Sequence, residues 1–140
     1  MSFLFFFFLS ILLFQSAASQ DLYWVDGSGN WNDAAHWASS SGGSGGAGVP
    51  TRFDDVVIDH NSFSSPRQNI KIKGEATCNN LIWKSALPRP VFKSWHFIFK
   101  QWTNAELKIY GSIQLPENLK NNYYGDLMMK SGQKNNTIDV

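Results

Sequence analysis

The stretch ATCNNLIW, Ala76 to Trp83, decides how this chain is read. Within it CNNLIW, Cys78 to Trp83, is read as one strand candidate that ends in the apolar, aromatic Leu81-Ile82-Trp83. Comparable apolar pairs recur downstream, headed by Leu107 in AELKIY, Leu127 in GDLMMK and Ile138 in NNTIDV. A parallel β-helix stacks coils of about 20 residues and upward, so that each strand lies on its predecessor. The steps from Leu81 to Leu107 and from Leu107 to Leu127 are each of that length and are read as one coil apiece. The shorter step from Leu127 to Ile138 marks a second strand in the same coil.

Working outward, further strand candidates are VVI at Val56 to Ile58, IKIK at Ile70 to Lys73, VFKSWHFIF at Val91 to Phe99, ELKIY at Glu106 to Tyr110, SIQL at Ser112 to Leu115, DLMMK at Asp126 to Lys130 and TIDV at Thr137 to Val140. Apolar and other residues alternate in them with period two, and Gly74, Gly111, Gly125 and Gly132 punctuate them. Nothing after Trp37 has helical periodicity. The fold class predicted is all-β, the start of a parallel β-helix, with an antiparallel β-sandwich as the alternative. Asn-Gly and Asp-Gly hairpin signals are nearly absent after Asp26-Gly27, which weighs against the sandwich. The chain stops within a strand at Val140, which predicts further coils and an unpaired edge.

Upstream, MSFLFFFFLSILLFQSAAS, residues 1–19, has an apolar run of about a dozen residues followed by small residues suited to cleavage. It is predicted to be a secretory signal, since a membrane-spanning helix needs roughly 20 apolar residues. Residues 20–49 form a Trp-rich cap and a Gly/Ser-rich loop, and residues 50–140 form the coils. The roughly 120 residues left after cleavage suffice for one small domain. The 12 basic and 11 acidic residues nearly cancel, so no nucleic acid or anionic membrane surface is implied as a partner. The single cysteine, Cys78, excludes an intramolecular disulfide, and its strand-like neighbours predict a small buried side chain.

The stretch Tyr23 to Trp37, YWVDGSGNWNDAAHW, concentrates the residues that attract a functional reading. Gly27 and Gly29 are expected to make a turn, and Asn32 or Asp33 to cap one helical turn that ends at Trp37. Trp24, Trp31 and Trp37 present two alternatives: a platform on which sugars of surface glycans stack, or a lid over the first coil. Trp95, Phe97 and Phe99, with Trp102 nearby, are expected to stack in a core. Asp54, Asp55 and Asp59 are candidate oxygen ligands for calcium, against which stands their use as turn and strand-end residues that bond their own backbone. No cofactor other than calcium is suggested.

Catalysis is not expected. His36, His60 and His96 have no zinc-ligand spacing, and no G-x-S-x-G elbow is present. Asp55 and Asp59, four apart on a strand, would lie about 13 Å apart, wider than the roughly 9.5 Å limit for a glycosidase pair. Asn135-Asn136-Thr137 is an N-glycosylation sequon, relevant only in a eukaryotic secretory pathway.

Taken in order, YWVDGSGNWNDAAHW, SGGSGGAGVP, TRFDDVVIDHNSF and ATCNNLIW resemble the N-terminal region of large secreted surface proteins of gliding-type bacteria, often type IX secretion cargo with adhesin-like β-solenoids. The resemblance covers Tyr23 to about Trp83. It implies a right-handed parallel β-helix whose first turn is closed by the Trp-rich segment, placed at the cell surface for adhesion to glycans or other surface proteins. Asp26 stands where that pattern commonly has Gly, and neither a C-terminal sorting domain nor an Asn-Pro-Asn haemagglutinin motif is present. A carbohydrate-binding module and a fragment of a β-helix polysaccharide lyase or hydrolase are the alternative functions.

Overall fold

A computed structural model of the chain describes residues 18–65, 68–84, 91–94, 105–116, 120–122, 126–132 and 135–139. Most of the expected leader lies outside the described residues, as do Trp95, His96, Phe97, Phe99 and Trp102. Among the described residues the protein is all-β, with one short 3-10 turn at Ala34–His36. No helix among them is long and apolar enough to cross a membrane.

The strands are β1 (Asp21–Trp24), β2 (Gly29–Asn30), β3 (Trp37–Ala38), β4 (Asp55–Ile58), β5 (Asn69–Ile72), β6 (Glu75–Cys78), β7 (Leu81–Trp83), β8 (Val91–Ser94), β9 (Glu106–Ile109), β10 (Ile113–Gln114), β11 (Lys120–Asn122), β12 (Asp126–Met129) and β13 (Ile138–Asp139). They form three sheets, ordered β13-β10-β7-β4-β1-β3, β11-β8-β5-β2 and β12-β9-β6. Every pairing among the described strands is parallel except β1 with β3. An antiparallel sandwich needs hairpins throughout, so that alternative does not describe this chain.

Register explains which residues make the core. Leu22, Val56, Leu81, Ile113 and Ile138 are successive Cα partners across the first sheet, although the lengths of chain between them are unequal. Ala76, Leu107 and Leu127 form a second column in the third sheet, and Cys78, Ile109 and Met129 a third. Alternate side chains of a strand point to one face, and the buried members of these columns merge into one cluster with Trp24, Trp31, Trp37, Ile58, Phe63, Ile70, Ile72 and Trp83. Each fully buried aliphatic side chain contributes about 1.5–3 kcal/mol of transfer free energy.

This register corrects one reading of the sequence. The step from Leu81 to Leu107 joins two different sheets and is not a stacking step. Leu107 and Leu127 do stack, and Ile138 lies on the sheet that contains Leu81. CNNLIW is likewise two strands rather than one: β6 ends at Cys78, Asn79-Asn80 turns the corner, and β7 begins at Leu81.

Candidate functional site

The tryptophan cluster is built by a turn and a fold-back. Asp26 and Gly27 both take left-handed conformations, φ 60° and 72°, turning the chain after β1 toward β2 in another sheet. The Trp24 indole Nε1 donates to the Gly27 carbonyl at 2.7 Å, locking the turn onto the core. Asp33 then caps the 3-10 turn, its Oδ1 accepting from Ala35 N at 3.0 Å. That turn delivers Trp37 into β3, antiparallel to β1, where Trp37 Nε1 donates to the Trp31 carbonyl at 2.7 Å.

His36 lies flat on Trp24, with ring centroids 4.8 Å apart and planes 8° apart, and its Nδ1 donates to the Val25 carbonyl at 2.9 Å. The acceptor is a carbonyl, so Nδ1 carries the proton. Gly29 passes directly beneath this imidazole, where a Cβ would collide with Nε2. Gly29 is required for that close approach and lies in β2, so of the two glycines expected in the turn only Gly27, with Asp26, makes it. Trp37 meets Trp24 and Trp31 edge-on, at 4.9 and 5.0 Å.

All three indoles are 0 % exposed. A sugar-stacking platform needs an open aromatic face, and Trp24, Trp31 and Trp37 have none in this structure. They are core residues, and the indole N–H of Trp31 has no hydrogen-bond acceptor among the described residues.

The Gly/Ser-rich segment is not a free linker. Gly46 N donates to Ala34 O and Ala47 N to Trp37 O, each at 2.9 Å, and Asn61 Nδ2 reaches Ser41 Oγ at 2.9 Å. Three further bonds tie the cap and this loop to β6 and the residues before it: Thr77 Oγ1 donates to Pro50 O at 3.3 Å, and Asn32 Nδ2 donates to the carbonyls of Lys73 and Glu75.

The aspartates expected as calcium ligands are committed elsewhere. Asp54 Oδ2 accepts from Thr51 N at 2.8 Å and Thr51 Oγ1 at 2.6 Å. Asp59 Oδ1 accepts from Asn61 N at 2.9 Å, while Asp59 N donates to Ser62 Oγ. Asp55 Oδ1 accepts from Asn79 Nδ2, Asn80 N and Asn80 Nδ2 at 2.8, 3.1 and 2.9 Å. Among the described residues no group of three or more His, Cys, Asp or Glu side chains is placed to hold a metal, and the bonds that Asp54, Asp55 and Asp59 make in the structure are turn and corner bonds. Asp55 and Asp59, the pair considered for sugar cleavage, are engaged by these same bonds.

The Asp55 bonds begin a polar column along the corner that leads into the first sheet. Asn80 Oδ1 accepts from Ser112 N at 2.7 Å, and Ser112 Oγ accepts from Thr137 N at 3.1 Å. Asp55, Asn80, Ser112 and Thr137 each immediately precede a member of the Val56, Leu81, Ile113, Ile138 column. Gly111 is tied to this corner, because a Cβ there would strike Asn80 Oδ1. The sequence reading missed Asn80, Ser112 and Thr137. Their signal was a small polar residue just before each inward Val, Leu or Ile.

Cys78 is buried as expected. Burial foremost, with the Asp55 charge adding to it, pushes its thiol far above the ordinary range, which suppresses the reactive thiolate. On the outer face of the third sheet Lys108 pairs with Glu75 at 2.5 Å and Glu106 at 3.2 Å. His60 is exposed and isolated from the tryptophan cluster's contacts, and Asn135 of the sequon is exposed.

No family model, curated protein or solved structure matches the chain.

Proposed function

We propose that this chain is the capped beginning of a right-handed parallel β-helix and serves as an exported, adhesin-like structural segment of the cell surface without catalytic chemistry. The observation carrying this reading is the recurring stack of every third strand from β4 onward, parallel, with aliphatic residues inside and a polar column at one corner. Parallel crossovers within one sheet are right-handed in about 98 % of cases, hence the hand. The residues that would supply ligand or acid-base chemistry, Trp24, Trp31, Trp37, Asp54, Asp55 and Asp59, are buried or engaged in holding turns. The leader-like residues 1–19 support export.

Two measurements test it. Thr77→Cys with Lys108→Cys, in a Cys78→Ser background, places thiols on neighbouring Cα partners of β6 and β9; a disulfide spans such neighbours readily. Quantitative cross-linking is expected, and its absence overturns the coil stack. Protease treatment of intact bacterial cells making the full chain is expected to digest it, whereas retention inside the cell sinks the surface role.

A further inference from the structure

The near-neutrality of the whole chain hides a segregation of charge that the register creates. The strands of the second sheet, β2, β5, β8 and β11, hold Lys71, Lys93 and Lys120 and no Asp or Glu. Those of the first sheet hold Asp21, Asp55 and Asp139 and no Lys or Arg, and those of the third hold Glu75, Glu106 and Asp126 against Lys108. Lys71 lies between the fully buried Ile70 and Ile72, which gives it an outer position on β5. Lys93 is its Cα partner, and Lys120 is the partner of Val91, which pairs in turn with Asn69, the outer position two before Lys71. Asn30 and Asn122 extend the column of Lys71 and Lys93 at its two ends. Like charges directly opposite on neighbouring strands, about 4.8 Å apart, oppose folding. On the third sheet Lys108 is met by Glu75 and Glu106, whereas no strand of the second sheet supplies a carboxylate. Asp26 and Asp33 lie in the cap on either side of β2, so the basic stretch begins at β5.

We propose that the outer face of the second sheet binds an acidic polysaccharide, a polymer with a carboxylate on each sugar. The inference rests on reading the chain as an exported β-helix segment for surface adhesion, and it adds the face and the partner. Charge complementarity carries it: cations repeated from coil to coil match anions repeated from sugar to sugar, and a bound anion relieves the repulsion built into the Lys71 and Lys93 pairing. Asn30, Asn69 and Asn122 hold outer register positions among the lysines. An amide donates to carboxylate and hydroxyl oxygens and accepts from hydroxyls, so this mixture of Lys and Asn suits a polymer that carries both groups. Single-stranded nucleic acid is bound through aromatic side chains on which bases stack, and no aromatic residue holds an outer position on these strands; Phe92 is the partner of the buried Ile70. An anionic bilayer is bound by burying an apolar face among its headgroups, and the apolar residue at an outer position here is Val91 alone, among the described strands.

Biolayer interferometry on immobilised polygalacturonate, a uronate homopolymer, tests this with the chain purified from cells expressing the whole sequence and with neutral dextran as the control. Polygalacturonate is expected to be bound and dextran not, with affinity falling at least tenfold as salt rises from about 0.05 to 0.5 M, because exposed charges are screened. Lys71→Gln with Lys93→Gln should weaken binding about tenfold at unchanged melting temperature, while Lys108→Gln, on the third sheet, should leave it within about twofold. Lys93→Gln with Lys120→Gln should match the first pair, so the outcome does not hang on the packing of the half-buried Lys71. Absent binding, binding indifferent to both pairs, an equal loss in Lys108→Gln, or equal affinity for duplex DNA or phosphatidylserine vesicles overturns the proposal. In each of those cases an intact Thr77→Cys/Lys108→Cys cross-link and digestion at the cell surface leave the exported β-helix standing. A lost cross-link overturns both.

Discussion

The first and last described turns of this chain enclose their inward side chains to opposite degrees. In the first, Trp24, Trp31 and Trp37 are wholly enclosed, although the segment carrying them is mostly turn and loop. In the last, Leu127 and Ile138 occupy strand positions in the same inward columns as buried residues and yet lie open. Inward direction alone therefore does not bury a side chain in a stacked architecture. A residue is enclosed only when a further level, or a substitute for one, lies on its far side. At the start that substitute is the fold-back through Asn32 to Ala38 and the loop to Pro50, and each of the three tryptophans brings on the order of 200 Å² of surface to be buried.

The strongest way to break the comparison is to hollow out the closed end. Trp37→Ala removes a fully buried indole and leaves the Trp31 carbonyl without its donor. A loss of about 3–5 kcal/mol is expected, measured by urea denaturation followed by circular dichroism. A loss below about 1 kcal/mol would mean that the cap is not part of the cooperative core.

Next in size is the polar corner. Asn80→Ala takes the acceptor from Ser112 N and a donor from Asp55, and one stranded donor of this kind costs about 1–3 kcal/mol. Asn80→Asp keeps the acceptor for Ser112 but sets a second carboxylate against Asp55, so it should be destabilised above the pH where both ionise and recover as pH falls. A pH-independent deficit would place the defect elsewhere. Similar in scale is Gly29→Ala, which forces a methyl against His36 at a cost of about 1–3 kcal/mol. Adding His36→Ala removes the collision, so the double-mutant cycle should show a favourable coupling of about 1 kcal/mol or more; additive losses would show that the imidazole is not what excludes a side chain there.

These positions also show what could be read in advance. The β class, the strand at Val56–Ile58, the Asp33-capped turn and the burial of Cys78 follow from local patterns of branching, alternation and capping. Asp54 and Asp59 as turn residues follow the same local logic, since their partners Thr51, Asn61 and Ser62 lie close by in sequence. The stacking register was only partly legible. Its steps in the first sheet are unequal, longer from Leu22 to Val56 than from Val56 to Leu81, because the corners and loops differ in length, and a fixed period misassigned Leu81 to Leu107. The burial of Trp24, Trp31 and Trp37 agrees with the lid reading, whereas ring contacts between separate strands and loops follow from no local pattern. Phe63 stacks on Trp83, for example, with ring centroids 6.3 Å apart.

The smallest effect is expected at the open end, and it carries the comparison furthest. Leu107 and Leu127 are Cα partners on adjacent strands, of one residue type and in one column, and they differ mainly in whether another level lies beyond them. Leu107→Ala should cost about 2–5 kcal/mol, like other buried leucines. Leu127, half exposed, leaves a dent and not a cavity when truncated, so Leu127→Ala should cost below about 1 kcal/mol. Equal costs for the two leucines would mean that the last turn is already enclosed, and the contrast between the two ends would fail.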